Sequence, residues 1–311
     1  MQNNLAFVFP GQGSQTVGML ADFSENDIVR DTFSEASKAL GYDLWELISV
    51  GPAEKLNQTN YTQPALLTAS VALWKLLEND IAVTPKVVAG HSLGEYSALV
   101  CSGVLSLAEG VQLVAKRGEY MQASVPEGVG AMAAVIGLED QAIIDACHQA
   151  QGDEVVSAVN FNSPGQVVIA GHKEAVERAG LLCKEAGAKR VLPLPVSVPS
   201  HCALMQPAAE ELAKAFNNVN FNIPQVDVVN NVDVVVEQSA SAIKEALIKQ
   251  LYSPVRWTET IQKLADEGVT TILEVGPGKV LQGLIKRIDK SITCIAVNDQ
   301  ASLDSVKELL N

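Results

Sequence analysis

Short apolar runs alternate along this chain with longer amphipathic stretches, the pattern of an α/β protein whose helices cover a sheet. Residues 5–9 form the first apolar run and predict a strand. The turn Pro10-Gly11-Gln12-Gly13-Ser14-Gln15 ends it, and the spacing from there to about Asn79 is mainly helical, as over 65–77. Residues 86–89 predict a second strand, followed by Gly90-His91-Ser92-Leu93-Gly94 and a helix over 94–101 that Gly103 stops. Ser106 is placed to cap a longer helix over 107–123.

The rhythm changes between about Glu127 and Val196. Strand patterns at 131–136, 155–160, 166–170 and 190–194 interleave with helical patterns at 140–150 and 173–186, and Asn162-Ser163-Pro164-Gly165 supplies a turn. This β-α-β-β-α-β order is the split pattern of ferredoxin-like units. Prolines 193, 195 and 199 mark the way out of it. The expected organisation is therefore a large domain made of 1–126 and 197–311 with a small domain, 127–196, inserted. The remaining expected elements are helices over 204–216, 241–251 and 257–267 and strands over 226–230 and 271–275.

Composition narrows the function. The 311 residues are 48% hydrophobic, enough for a large core, and 36 acidic against 22 basic side chains leave a net charge of −14. Such a field excludes nonspecific attraction to nucleic acid or to an anionic membrane surface. Residues 5–10 are too short and lack the basic flank for a secretory signal, and no run approaches a membrane span, so a cytoplasmic protein is expected. The 5 cysteines are scattered without a CxxC pair, which predicts buried thiols in a reducing compartment and no metal site.

The chemistry centres on Ser92. Gly90-x-Ser92-x-Gly94 between a strand and a helix is the nucleophile-elbow pattern, in which a sharp turn exposes the serine at a helix N-terminus. There the Leu93 N–H is placed to donate to an oxyanion. A serine nucleophile needs a base, and the chain has 4 histidines. His91 adjoins Ser92 and should point away from its hydroxyl. His148 reads as a surface residue, and His172 as a helix-capping one. His201, where the chain re-enters the large domain, is left as the general base and acid, against the alternative of a packed loop histidine. By residue type alone, Arg117 reads as a solvated surface arginine.

Five segments together resemble malonyl-CoA:acyl carrier protein transacylases: FPGQGSQ (9–15), GHSLGEYSAL (90–99), Arg117, VPSH (198–201) and EVGPGKVL (274–281). The resemblance covers essentially the whole chain. It implies an α/β-hydrolase-like large domain with an inserted ferredoxin-like (βαββαβ) small domain. It also implies Ser92 as nucleophile, His201 as its base, the Gln12 and Leu93 N–H groups as oxyanion hole, and Arg117 as the grip on the malonyl carboxylate. Gln250 matches a residue whose backbone carbonyl orients the histidine. Gln63 and Met121 match residues lining the acyl pocket, and Asn231 one near the histidine.

The resemblance further implies malonyl-CoA and acyl carrier protein as partners in fatty acid biosynthesis, with no cofactor beyond the substrate; nothing in the sequence calls for more than a monomer. A carrier that is itself acidic would need a local basic rim, for which Lys189, Arg190, Lys286 and Arg287 are candidates. Two other functions share part of the pattern. A serine esterase or thioesterase would share the elbow but usually places its histidine near the C-terminus, well beyond the position of His201. A catalytically silent acyltransferase-like scaffold would have no need of an intact Ser92, His201 and Arg117.

Overall fold

A computed structural model describes residues 2–81, 83–196 and 198–310. The expected domain limits at Met1, Ser197 and Asn311 lie outside the described residues. Two sheets organise the molecule. The first is parallel and has five strands: β1 (Gln2–Phe9), β2 (Pro85–Gly90), β7 (Asp227–Val229), β8 (Thr271–Val275) and β9 (Thr293–Val297), in the order β7-β2-β1-β8-β9. Its central strand shows why the run at 5–9 is apolar throughout. Leu5, Phe7 and Phe9 face one layer, where Trp74 of helix Thr59–Ile81 meets Phe7 edge-on at 5.4 Å. Ala6 and Val8 face the opposite layer, against Ile261 and Leu264 of helix Trp257–Asp266 and Leu284 and Ile285 of helix Val280–Ile288. Burial on both faces leaves no polar position to alternate.

The second sheet is antiparallel: β3 (Gly130–Ile136), β4 (Val156–Ser163), β5 (Gln166–His172) and β6 (Arg190–Pro193), in the order β4-β5-β3-β6. Helices Asp140–Ala150 and Lys173–Glu185 pack on one of its faces through Ile143, Cys147, Ala175 and Ala179. This is the βαββαβ arrangement expected from the sequence, wholly within the segment expected to be inserted. The small sheet is tied to the loop before helix Trp257–Asp266 by backbone bonds: Phe161 N–H donates to Val255 O (3.0 Å) and Val255 N–H to Val159 O (2.9 Å).

Three local expectations are corrected. Strand β4 continues through Asn162 and Ser163, so the hairpin turn is only Pro164-Gly165, with Gly165 at a φ of 70°. The helix expected over 204–216 is three pieces: a 3-10 turn Ala203–Met205, an α-helix Gln206–Ala215 and a second 3-10 turn Phe216–Asn218. Pro207 explains the first break, since a proline is tolerated in the opening turn of a helix but not in its interior. Beyond Val275 the chain adds helix Val280–Ile288, strand β9 and helix Gln300–Leu310, none of which the sequence reading assigned. No helix among the described residues is long and apolar enough to cross a membrane.

Candidate active site

Strand β2 feeds helix Leu93–Cys101 through a turn that only glycine permits at its two ends. A Cβ on Gly90 would lie 1.9 Å from Gly94 C, and one on Gly94 would lie 2.1 Å from Phe9 O. With those side chains absent, the turn closes against β1 and holds Ser92 at φ 52°, ψ −107°. Such a conformation costs a non-glycine residue on the order of 1–3 kcal/mol and persists only where the surroundings over-determine it. Asn231 supplies much of that constraint. Its side-chain oxygen accepts from Ser92 N–H (2.7 Å), and its amide nitrogen donates to Gly90 O (2.6 Å).

Ser92 Oγ lies 2.8 Å from His201 Nε2. On the other side of the ring, Nδ1 is 2.8 Å from the backbone carbonyl oxygen of Gln250. A carbonyl only accepts, so Nδ1 carries the proton of the neutral ring and Nε2 presents its lone pair to the serine hydroxyl. His201 itself sits at a φ of 65° and is anchored by its N–H to Leu251 O (3.0 Å).

Arg117 is fully buried, 0% exposed, and the expectation of a solvated arginine is wrong. Helix Leu107–Ser124, which opens with the capping box of Ser106 and Glu109, carries it inward. Gly118 lets this helix approach helix Thr59–Ile81 closely, since a Cβ there would lie 2.6 Å from Asn60 Cα. The close approach brings Gln63, Arg117 and Met121 together. Gln63 Oε1 accepts from Arg117 Nη1 (2.8 Å), and Gln63 Nε2 contacts the Met121 sulfur at 3.7 Å. The other terminal nitrogen of Arg117 donates to Gln250 Oε1 (3.0 Å) and to Ser92 Oγ (3.3 Å). Arg117 Nε has no partner among the described residues, and no acidic side chain there makes an ion pair with the guanidinium.

The other expected positions sort clearly. His91 turns away from Ser92, its Nε2 2.8 Å from Asn162 Oδ1 and its ring 5.5 Å from that of Trp257. His148 is exposed. His172 occupies the residue before helix Lys173–Glu185 but does not cap it; its Nδ1 accepts from Val155 N–H (2.9 Å) instead. Gln12 is exposed, with its side chain directed to Thr59 Oγ1, on a loop where a Cβ on Gly11 would lie 2.6 Å from His91 O. Leu93 is buried in the first turn of the elbow helix.

The family model described as the acyl transferase domain matches residues 6–306. This chain belongs to that family. It is 62% identical to the malonyl CoA-acyl carrier protein transacylase of Haemophilus influenzae over 98% of both chains. Among solved structures it superposes on an acyl carrier protein S-malonyltransferase from Vibrio cholerae with a TM-score of 0.96 at 63% identity, covering 97% of this chain and 99% of that one. It also superposes, with a TM-score of 0.97 at 58% identity, on a malonyl-transacylase solved in complex with a type II PKS acyl-carrier protein, covering 98% of this chain and 99% of that one.

Electrostatics in this acyltransferase are governed by burial. Desolvation lowers the pKa of His201 to about 3, and the nearby Arg117 cation adds to the effect. The imidazole is therefore neutral at pH 7. Burial also draws the Arg117 pKa below the usual guanidinium value, opposed by Tyr96 and Glu95, and the Tyr96 ring centre lies 5.3 Å from the guanidinium carbon. Glu95 was not singled out in the sequence, although a charged residue inside the apolar run LGEYSALVC was a signal for it. It is 3% exposed, and burial pushes its carboxyl up to about 7 against the pull of Gln250, Asn231 and Arg117. The side chain of Gln250 was also missed, because only its backbone carbonyl had been assigned a part. The cysteines are all free, with 147, 183 and 202 buried and 101 and 294 half-buried. No group of three His, Cys, Asp or Glu residues able to hold a metal occurs among the described residues.

Proposed function

We propose that this acyltransferase moves a malonyl group from malonyl-CoA to the phosphopantetheine thiol of an acyl carrier protein through a malonyl ester on Ser92. The observation that carries the reading is Arg117: a buried cation without an ion-pair partner among the described residues, whose guanidinium reaches to 3.3 Å from Ser92 Oγ. Isolated buried charge is costly, and an acyl group ending in a carboxylate would relieve the cost with two parallel hydrogen bonds. Acetyl has no such group and would leave the cation unmatched. The names of the relatives above point to the same cargo and acceptor.

In the first half-reaction Ser92 Oγ attacks the thioester carbonyl as His201 Nε2 takes the hydroxyl proton. The Leu93 and Gln12 N–H groups serve as donors to the oxygen of the tetrahedral intermediate. The carbon–sulfur bond then breaks, and His201 returns the proton to the departing coenzyme A thiol. The carrier's thiol attacks the acyl-serine by the same steps in reverse. One thioester replaces another, so the exchange calls for neither ATP nor a metal. Gln250 O holds the imidazole in the reactive tautomer, Asn231 holds the elbow, and Gln63 and Met121 line the acyl pocket beside Arg117.

The reading extends to the surroundings. Residues 127–196 act as an inserted unit on a catalytic body of 1–126 and 197–311, in a monomeric cytoplasmic enzyme serving fatty acid biosynthesis. An acidic carrier is received by the rim of Lys189, Arg190, Lys286 and Arg287, which are all exposed. Support for a shared rim comes from Gln166, which accepts from Arg287 and, like Arg190, pairs with Ile136 in the small sheet.

Mass spectrometry after incubation with malonyl-CoA tests the reading. An adduct of about 86 Da on Ser92 is expected, lost when carrier thiol is added and not released as free malonate. Absence of the adduct, or its loss to water without the thiol, overturns it in favour of a silent scaffold or a hydrolase respectively.

A further inference from the structure

We propose that Glu95 is a positioning residue for acyl selection: it fixes the Gln250 amide so that the amide oxygen holds Arg117 beside Ser92. The inference deepens the reading above and rests on Arg117 receiving the acyl carboxylate.

The geometry is a chain of three groups. Glu95 lies in the first turn of the elbow helix, three positions after the serine, with its carboxylate turned into the core. Its Oε2 accepts from Asn231 N–H (2.9 Å) and from Gln250 Nε2 (2.9 Å). Gln250 Nε2 also donates to Ser92 O (3.0 Å), and Gln250 Oε1 accepts from Arg117 (3.0 Å). A primary amide can sit in either of two orientations differing by a half-turn, and nothing intrinsic chooses between them. Here one end faces two acceptors and the other faces a cation. The half-turned amide would set an N–H₂ against the guanidinium and an oxygen against the carboxylate. Glu95, together with Ser92 O, therefore holds the orientation in which Gln250 braces Arg117, without reaching the guanidinium itself through any direct hydrogen bond among the described residues. The same oxygen holds the Asn231 backbone, whose side chain fixes Ser92 N–H. One carboxylate thus sets the spacing between the arginine and the nucleophile, the distance an acyl group must span.

The test compares malonyl and acetyl transfer in Glu95→Leu, Glu95→Gln, Gln250→Met and the double variant Glu95→Leu/Gln250→Met, with Arg117→Ala as reference. Methionine at 250 keeps the backbone carbonyl that orients His201. Glu95→Leu is expected to lower kcat/KM for malonyl-CoA roughly 10- to 100-fold, the range for losing a hydrogen bond to a buried charge, while acetyl-CoA, which loses only the support of the elbow through Asn231, falls at least about threefold less. In the Gln250→Met background the same change should add less than about threefold, because the two act through one contact. Glu95→Gln, which keeps the volume and one acceptor oxygen, should show a malonyl-specific loss of at least about threefold and carries the test alone if the leucine variant does not fold. Equal losses for both acyl groups overturn the proposal, as do additive losses in the double variant. If Arg117→Ala keeps the malonyl preference, the carboxylate clamp itself is wrong. If Arg117→Ala loses the preference while both Glu95 variants keep it, only the role of Glu95 falls.

Discussion

Two strand-to-helix turns leave the parallel sheet with similar parts and opposite outcomes. One follows β2 and contains Ser92; the other follows β8 and contains Gly276 and Gly278. Each pairs two glycines with a buried glutamate and opens a helix of 9 residues. After β8, Glu274 occupies the helix entrance itself: its two oxygens accept from Leu281 N–H (2.9 Å) and Gln282 N–H (2.7 Å). After β2, Ser92 makes no side-chain cap and its hydroxyl faces His201, while Glu95 turns away to Asn231 and Gln250. Free N–H groups at a helix start attract negative charge wherever it comes from. One turn satisfies that demand with its own carboxylate and becomes part of the scaffold. In the proposed reaction the other leaves it for a charge that develops on the acyl oxygen.

The difference predicts which kind of damage each turn suffers. Ser92→Ala should lower acyl transfer by on the order of a thousandfold or more and abolish the adduct, yet leave the melting temperature within a few degrees of the parent. Glu274→Ala should do the reverse, costing about 2–3 kcal/mol in denaturant unfolding while kcat/KM stays within about threefold. A Glu274 variant that folds as stably as the parent but cannot turn over would end the distinction between a scaffold turn and a reactive one.

A smaller effect concerns pH. The His201 pKa falls from 6.5 in the unfolded chain to about 3 in the fold, so the unfolded state takes up the proton first as pH falls. The contribution of this group to stability is therefore fully present above about pH 6.5 and is lost progressively towards pH 3. For the same reason the base form of His201 persists in the free enzyme, and in Glu95→Gln, which removes the carboxyl that burial holds at about 7, formation of the acyl-serine at pH 5 should stay within about threefold of its pH 7 rate. Arg117→Ala removes a like charge and should move the acid limb upwards, towards the ordinary imidazole range. An acid limb near 6.5 that persists in Glu95→Gln would mean that burial does not hold His201 neutral.

Much of this was legible beforehand, for identifiable reasons. The two-domain pattern showed because a doubly covered parallel sheet needs unbroken apolar runs, while the small sheet and its helices leave a local alternating signature. The elbow showed because its glycines are sterically compelled. His201 emerged from the scarcity of histidines. The missed strand and helices after Val275 are short amphipathic segments whose burial depends on neighbours distant in sequence. The first break in the helix expected after Cys202 lay in one proline, which the helical spacing around it masked. Residue type alone predicts solvation for Arg117, so only the resemblance placed it at the site, and the close crossing of two helices at Gly118 is what carries it inside.

The sequence by itself determined the glycine-bounded turn at Ser92, the two sheets and which histidine meets that serine. Each of these rests on local sterics or on a count of residue types, both of which a linear string contains. The tertiary structure alone decided how Arg117 is buried, with a terminal nitrogen 3.3 Å from Ser92 Oγ, that the Gln250 side chain braces it, and that Glu95 joins that amide to the elbow. Those contacts link residues 95, 117, 231 and 250 from separate elements. Hydrogen bonds of 2.7–3.0 Å between such distant positions exist only once the core has packed and removed the water that would otherwise satisfy each group.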